Sequence, residues 1–82
     1  MEKPLVSSID QYIIDKVQKL RLSHNLTMKE FGYILNVSPS FIWNVENPQN
    51  IAKYNIKHLN ILAFYFELSP KYFLPNKAVV PL

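Results

Sequence analysis

Apolar residues recur along this chain at helical spacing, and residues that start and stop helices interrupt them. Ile9, Ile13, Val17 and Leu20 fall three or four apart, which predicts a first helix from about Ile9 to Ser23. Ser8-Ile9-Asp10-Gln11 has the form of a capping box, with a hydroxyl at the N-cap and an amide three residues on. Asn25 is placed to stop this helix in the left-handed region. Thr27-Met28-Lys29-Glu30 is a second capping box and opens a short helix whose apolar positions are Phe31, Ile34 and Leu35. Asn36 follows where the backbone must turn, and Asn tolerates positive φ better than other residues with a Cβ.

Ser38-Pro39 predicts the start of a third helix, because Pro at the first helical position has no N–H to leave unsatisfied. Ile42 and Val45 supply its buried face, and Asn47-Pro48 closes it. A loop runs from Gln49 to Tyr54. Asn55 caps a fourth helix with an apolar stripe of Ile56, Leu59, Leu62, Ala63 and Phe66. Ser69-Pro70 repeats the Ser-Pro start and opens a last turn through Phe73, and Pro75 ends it. No segment alternates over several residues, so five helices and no sheet are expected. Phe64-Tyr65-Phe66 and Tyr72-Phe73 are assigned mostly to the core, with a share left for a dimer surface.

Composition then removes whole classes of chemistry. Eighty-two residues, 49% of them hydrophobic, suit one domain with a single core. With no Cys there is no disulfide framework, thiolate metal site or Cys nucleophile. The single glycine, Gly32, excludes glycine-rich phosphate loops. His24 and His58 stand in separate segments away from any carboxylate cluster, so no metal, cofactor, catalytic residue or small-molecule substrate is expected, and no enzyme. The opening Met1-Glu2-Lys3-Pro4 does not lead into a long apolar run. The longest such run, Ile61 to Phe66, is about a third of a membrane span. A cytoplasmic protein with no membrane partner is expected. Nine Lys+Arg against six Asp+Glu is a modest bias toward a polyanionic partner.

Met28 to Asn47 carries the functional signal: two short helices joined by the tight turn Leu35-Asn36-Val37-Ser38. Gly32 lies in the first of them, where the following helix must cross close by. Phe31, Leu35, Val37, Ile42 and Val45 are then the inward residues. This pattern resembles the helix-turn-helix of the Cro/repressor-type (Xre) family. Phe31-Gly32 stands where that family usually has an apolar residue followed by Ala, and Asn36 where it usually has Gly. Val37-Ser38-Pro39-Ser40-Phe41-Ile42 resembles the Val-Ser-x-Ser-x-Ile stretch that enters the family's recognition helix. The resemblance extends from about Ile13 to Leu74.

The resemblance implies an all-α, five-helix lambda-repressor-like fold with a helix-turn-helix at about 28–47. It implies an N-terminal arm over 1–8, a helix-turn-helix domain over 9–74 and an apolar tail over 75–82. It implies a sequence-specific transcriptional regulator that binds double-stranded DNA as a homodimer. A recognition helix offers its first turns to base edges in the major groove. The base-facing positions would be Pro39, Ser40, Trp43 and Asn44. Thr27, Met28 and Ser38 would lie near the sugar-phosphate backbone, joined by Lys53, Tyr54 and Lys57 around the loop into the fourth helix.

Arg21, the only Arg, is open to two readings: a phosphate contact, or a structural ion pair with Glu46, which the resemblance also implies. Met28 and Pro39 stand where the family often carries Gln, and Trp43 where it usually has a small or polar residue. Trp43 suits a thymine methyl or a protein interface. The rival reading is therefore a protein-interaction module, antitoxin-like, in which Trp43, Phe41 and Tyr54 form an exposed apolar patch. Lys16, Lys19 and Lys29 are read as solvated surface. The tail Val79-Val80-Pro81-Leu82 is either frayed or docked on a partner.

Overall fold

The computed structural model describes residues 5–82, so residues 1–4 of the expected arm lie outside the described residues. Four α-helices follow one another: α1 (Ser8–Ser23), α2 (Met28–Leu35), α3 (Pro39–Glu46) and α4 (Ile56–Phe66). The fifth expected helix is a single 3-10 turn, Pro70–Phe73, and no strand occurs among the described residues. Four residues opened by Ser-Pro and closed by Leu74-Pro75 are too few to settle into α geometry.

Helix starts follow local side-chain chemistry. The capping box of α2 is complete: the Glu30 N–H donates to Thr27 Oγ1 at 3.1 Å, and the Thr27 N–H donates to Glu30 Oε1 at 2.9 Å. Those bonds hold the Glu30 carboxyl below its ordinary range, the backbone donor contributing most. Ser38 Oγ accepts from the Phe41 N–H at 3.1 Å, with Pro39 at the first helical position of α3. At α1 the expected cap is displaced by one residue. Ser7 Oγ accepts from the Asp10 N–H at 3.2 Å, so Ser7 and not Ser8 is the N-cap. Ser8 is the first helical residue instead, and its hydroxyl donates to the Val80 carbonyl at 2.6 Å. The tail is thus folded back on the start of α1, with Ala78, Val79, Pro81 and Leu82 beside Ser7, Ser8 and Ile9.

Three of the four α-helices end in one geometry, while α3 stops at Asn47 in extended backbone ahead of Pro48. Asn25, Asn36 and Glu67 have φ of 54°, 57° and 57°, the left-handed region. Each is followed by an N–H that reaches back five residues: Leu26 to the Arg21 carbonyl at 3.1 Å, Val37 to that of Gly32 at 2.9 Å, Leu68 to that of Ala63 at 2.8 Å. This is the Schellman termination, here made three times without glycine.

The core gathers Ile13, Ile14, Val17 and Leu20 from α1 with Phe31, Leu35, Ile42, Val45, Leu59, Leu62, Ala63 and Phe73. Helix α2 packs on α3 and α4, while α1 packs on α3 and the 3-10 turn. Several expected core positions lie outside it. Ile9 and Ile56 sit in the first turns of α1 and α4 and are exposed. Phe64 and Tyr65 also face outward, at 87% and 58% exposure, because only the Leu59-Leu62-Ala63 side of α4 turns inward. Val37, Ile34 and Phe66 are half-buried. Lys16 is not simply solvated: its Nζ stands 4.6 Å from the Tyr72 ring centroid, tying α1 to the 3-10 turn. No helix among the described residues is long and apolar enough to cross a membrane.

Candidate nucleic-acid interface

Helix α3 buries Ile42 and Val45 and turns its opposite side to solvent. The spacing of 39, 40, 43 and 44 puts these residues on one face. Pro39, Ser40 and Trp43 are exposed, and Asn44 is half-exposed. Trp43 keeps 56% of its surface in water, an unusual exposure for the largest apolar side chain. It borders a shallow cleft with Gln18, Met28, Glu46 and Asn47, so its indole lies beside the first turn of α2. Among the described residues, the side chains of Ser40, Trp43 and Asn44 make no hydrogen bond within the chain, whereas neighbouring Ser38 and Asn47 do.

The turn between α2 and α3 is fixed by Gly32 and Asn36. The Val37 carbonyl lies over Gly32, so the chain's one glycine serves a close backbone approach by the turn, beyond the expected helix crossing. Thr27 and Ser38 are exposed at the starts of α2 and α3, and Met28 is half-buried.

Behind α3, Arg21 and Glu46 form a bidentate pair. Arg21 Nε donates to Glu46 Oε2 and Nη2 to Oε1, both at 2.8 Å, with side-chain exposures of 10% and 5%. Arg21 Nη1 donates to the Leu26 carbonyl at 2.8 Å, and Gln18 Nε2 to Glu46 Oε1 at 3.2 Å. The hydrogen bond to Glu46 raises the Arg21 pKa further above its ordinary value, against the opposing effect of burial. Every nitrogen of this guanidinium is turned into the fold, which leaves no fork for a phosphate. The pair ties the last turn of α3 to the end of α1. Gln18, unremarked in the sequence, completes it.

The loop from Asn47 to Asn55 carries the flanking residues, and here the structure corrects the sequence reading. Tyr54 is not a surface phosphate contact. It is 4% exposed, its hydroxyl is buried with no hydrogen-bond partner, and burial pushes its pKa far upward. Its ring sits 6.1 Å from Phe41 and 5.8 Å from His58, with Phe41 and His58 5.5 Å apart. Phe41 and Tyr54 therefore do not join Trp43 in an exposed patch; they pack inward as a three-ring cluster that seats the loop and α4 against α3. His58 accepts the Asn55 N–H at Nδ1, 3.1 Å, while its own N–H donates to Asn55 Oδ1 at 3.0 Å. Burial, and secondarily Lys57, lowers the His58 pKa. Histidine in the place of the usual Glu or Gln hid this capping box from the sequence pattern.

Lys53 and Lys57 are exposed around this cluster. Lys53 Nζ lies 3.5 Å from Asp10 Oδ2, an open pair that a stronger anion can displace. Asn47 Oδ1 accepts the Gln49 N–H at 3.0 Å and Asn50 Oδ1 that of Ala52 at 2.9 Å, so the loop is shaped by its own side chains. No group of three or more His, Asp or Glu residues suited to a metal ion occurs among the described residues.

In comparison with known proteins, no family model matches the chain, and no curated protein or solved structure matches it.

Proposed function

We propose that the protein is a sequence-specific DNA-binding regulator of transcription, of the Cro/repressor type, with α3 as its recognition helix. In this reading the four helices and the 3-10 turn correspond to the five-helix lambda-repressor-like arrangement. The protein acts in the cytoplasm as a homodimer on double-stranded DNA, by occupying a site and without chemistry on it. The observation that carries the reading is the α2–turn–α3 unit. Its turn is locked by Gly32 and Asn36, and it holds Pro39, Ser40, Trp43 and Asn44 on one outward face. Such a helix enters the major groove while the helix before it crosses the backbone. In this reading the phosphate contacts come from Thr27 and Ser38, exposed at the starts of α2 and α3, and from Lys53 and Lys57, exposed on either side of the start of α4, with half-buried Met28 beside Thr27. One module spans few base pairs, and pairing two of them on half-sites about one DNA turn apart gives useful affinity.

Fluorescence anisotropy on short duplexes across a salt series tests this. Affinity should fall steeply as salt rises. Absence of binding at low salt overturns the proposal.

Exposed Trp43 on a helix without Lys or Arg favours a second reading, a protein-interaction module on the same scaffold. Trp43→Ala separates the two. Loss of DNA affinity with self-association intact supports the regulator. Loss of a protein partner with DNA affinity unchanged supports the module.

A further inference from the structure

Guanine presents two acceptors, O6 and N7, in the major groove, and proteins usually read them with Arg or Lys. The outward face of α3 holds neither. The only Arg is closed off by Glu46 and the Leu26 carbonyl. Lys53 stands against Asp10, off the recognition helix. That face therefore has no cationic fork for guanine.

What it does hold fits a different base pair. The Asn44 amide is half-exposed and makes no side-chain hydrogen bond among the described residues, leaving both its donor and its acceptor free. That combination matches adenine, whose N6 donates and N7 accepts on the same edge. Trp43, next along the helix, offers apolar surface, and Pro39 one turn earlier adds a rigid apolar ring. The apolar feature of the major groove is the thymine C5 methyl. Ser40 hydrogen-bonds either kind of base and imposes little choice.

We infer that α3 selects an A·T-rich half-site, with thymine methyls packed on Trp43 and Pro39 and an adjacent adenine held by Asn44. The inference rests on the DNA-binding reading above and adds the target's chemistry. Trp43 and Asn44 are its specificity-determining residues.

Selection of bound duplexes from a random pool, using the full chain, comes first, followed by anisotropy on the selected site. The selected half-sites should be A·T-rich. Replacing the contacted thymine by uracil removes one methyl and should weaken wild-type binding about fourfold. Trp43→Ala should shrink the thymine–uracil difference to what Pro39 alone supplies, whereas Trp43→Tyr should keep more of it. Asn44→Ala should lose on the order of tenfold in preference for adenine at one position. Both side chains are at least partly exposed, and a far-ultraviolet circular dichroism spectrum matching wild type verifies that each of the three variants is folded. G·C-rich selected sites, or equal wild-type affinity for thymine and uracil, overturn the inference while DNA binding stands. Absence of binding to every duplex at low salt overturns both.

Discussion

A Cβ placed on Gly32 would lie 2.6 Å from the carbonyl oxygen of Val37. The next atoms it would meet, Pro39 N and Ser38 C at 3.4 Å, are also backbone. A flexible side chain could swing away, but this turn can give way only by moving α3. Gly32→Ala gains about 1 kcal/mol of helix propensity and loses about 1–3 kcal/mol to overpacking. The expected net result is a thermal midpoint several degrees lower, with weakened DNA binding from a displaced α3. An unchanged midpoint would show that the turn relaxes freely.

Arg21 and Glu46 stabilise the fold as a unit. Arg21→Ala leaves Glu46 buried without its partner and should lower stability by about 3–5 kcal/mol in urea titration. Arg21→Met with Glu46→Leu replaces both charges by apolar volume and should recover most of that loss. If the double variant is no more stable than Arg21→Ala, the loss comes from the bond to the Leu26 carbonyl and not from the orphaned carboxylate.

Tyr54 carries a buried hydroxyl without a partner. Removing such a group is neutral or stabilising, so Tyr54→Phe should leave stability unchanged or raise it by up to about 1 kcal/mol. DNA affinity should not change, because no phosphate reaches the ring; a clear drop would return Tyr54 to the interface. The raised pKa has a further effect. Stability from the neutral phenol is present below the unfolded value near 10 and is lost as pH rises beyond it. Tyr54→Phe should remove that part of the alkaline decline.

His58 accepts a hydrogen bond at Nδ1, which protonation abolishes. Its folded pKa lies below the ordinary 6.5, so its contribution is complete above that pH and fades as pH falls toward the folded value. Thermal melts between pH 7.5 and 5 should show a falling midpoint. His58→Gln keeps a side chain able to cap but not to titrate, and should flatten the profile in this window. Loss from Glu30 begins only at lower pH, since its carboxyl is held below 4.5.

The helix starts were legible because a cap is a matter of three or four neighbouring residues: Thr27 with Glu30, Ser38 with Pro39, Asn55, Ser69 with Pro70. At α1 the cap falls on Ser7 and not on Ser8, whose hydroxyl bonds the Val80 carbonyl 72 residues away, a partner that no local pattern reveals. Glu67 in the left-handed region could not be anticipated, because Glu has no local reason to adopt it. Tyr54 shows why the flank of the candidate interface was harder to read than its centre. A loop residue's burial depends on what packs against it, here Phe41 and His58 from two helices. Pro39, Ser40, Trp43 and Asn44 share a face by helical periodicity alone, so their grouping was readable from spacing.

The three left-handed helix ends have a dynamic consequence. Asn25, Asn36 and Glu67 are held where an L-residue is strained, by roughly 1 kcal/mol each and most for Glu67. Local opening relieves that strain, so the corners should unzip more readily than the helices they join. In native-state hydrogen exchange, the amides of Leu26, Val37 and Leu68 should exchange ahead of those of Val17 and Leu62. The corner at Asn36 leads directly into α3, so the proposed recognition helix adjoins a joint that is closely packed when closed and whose local opening leaves the core intact.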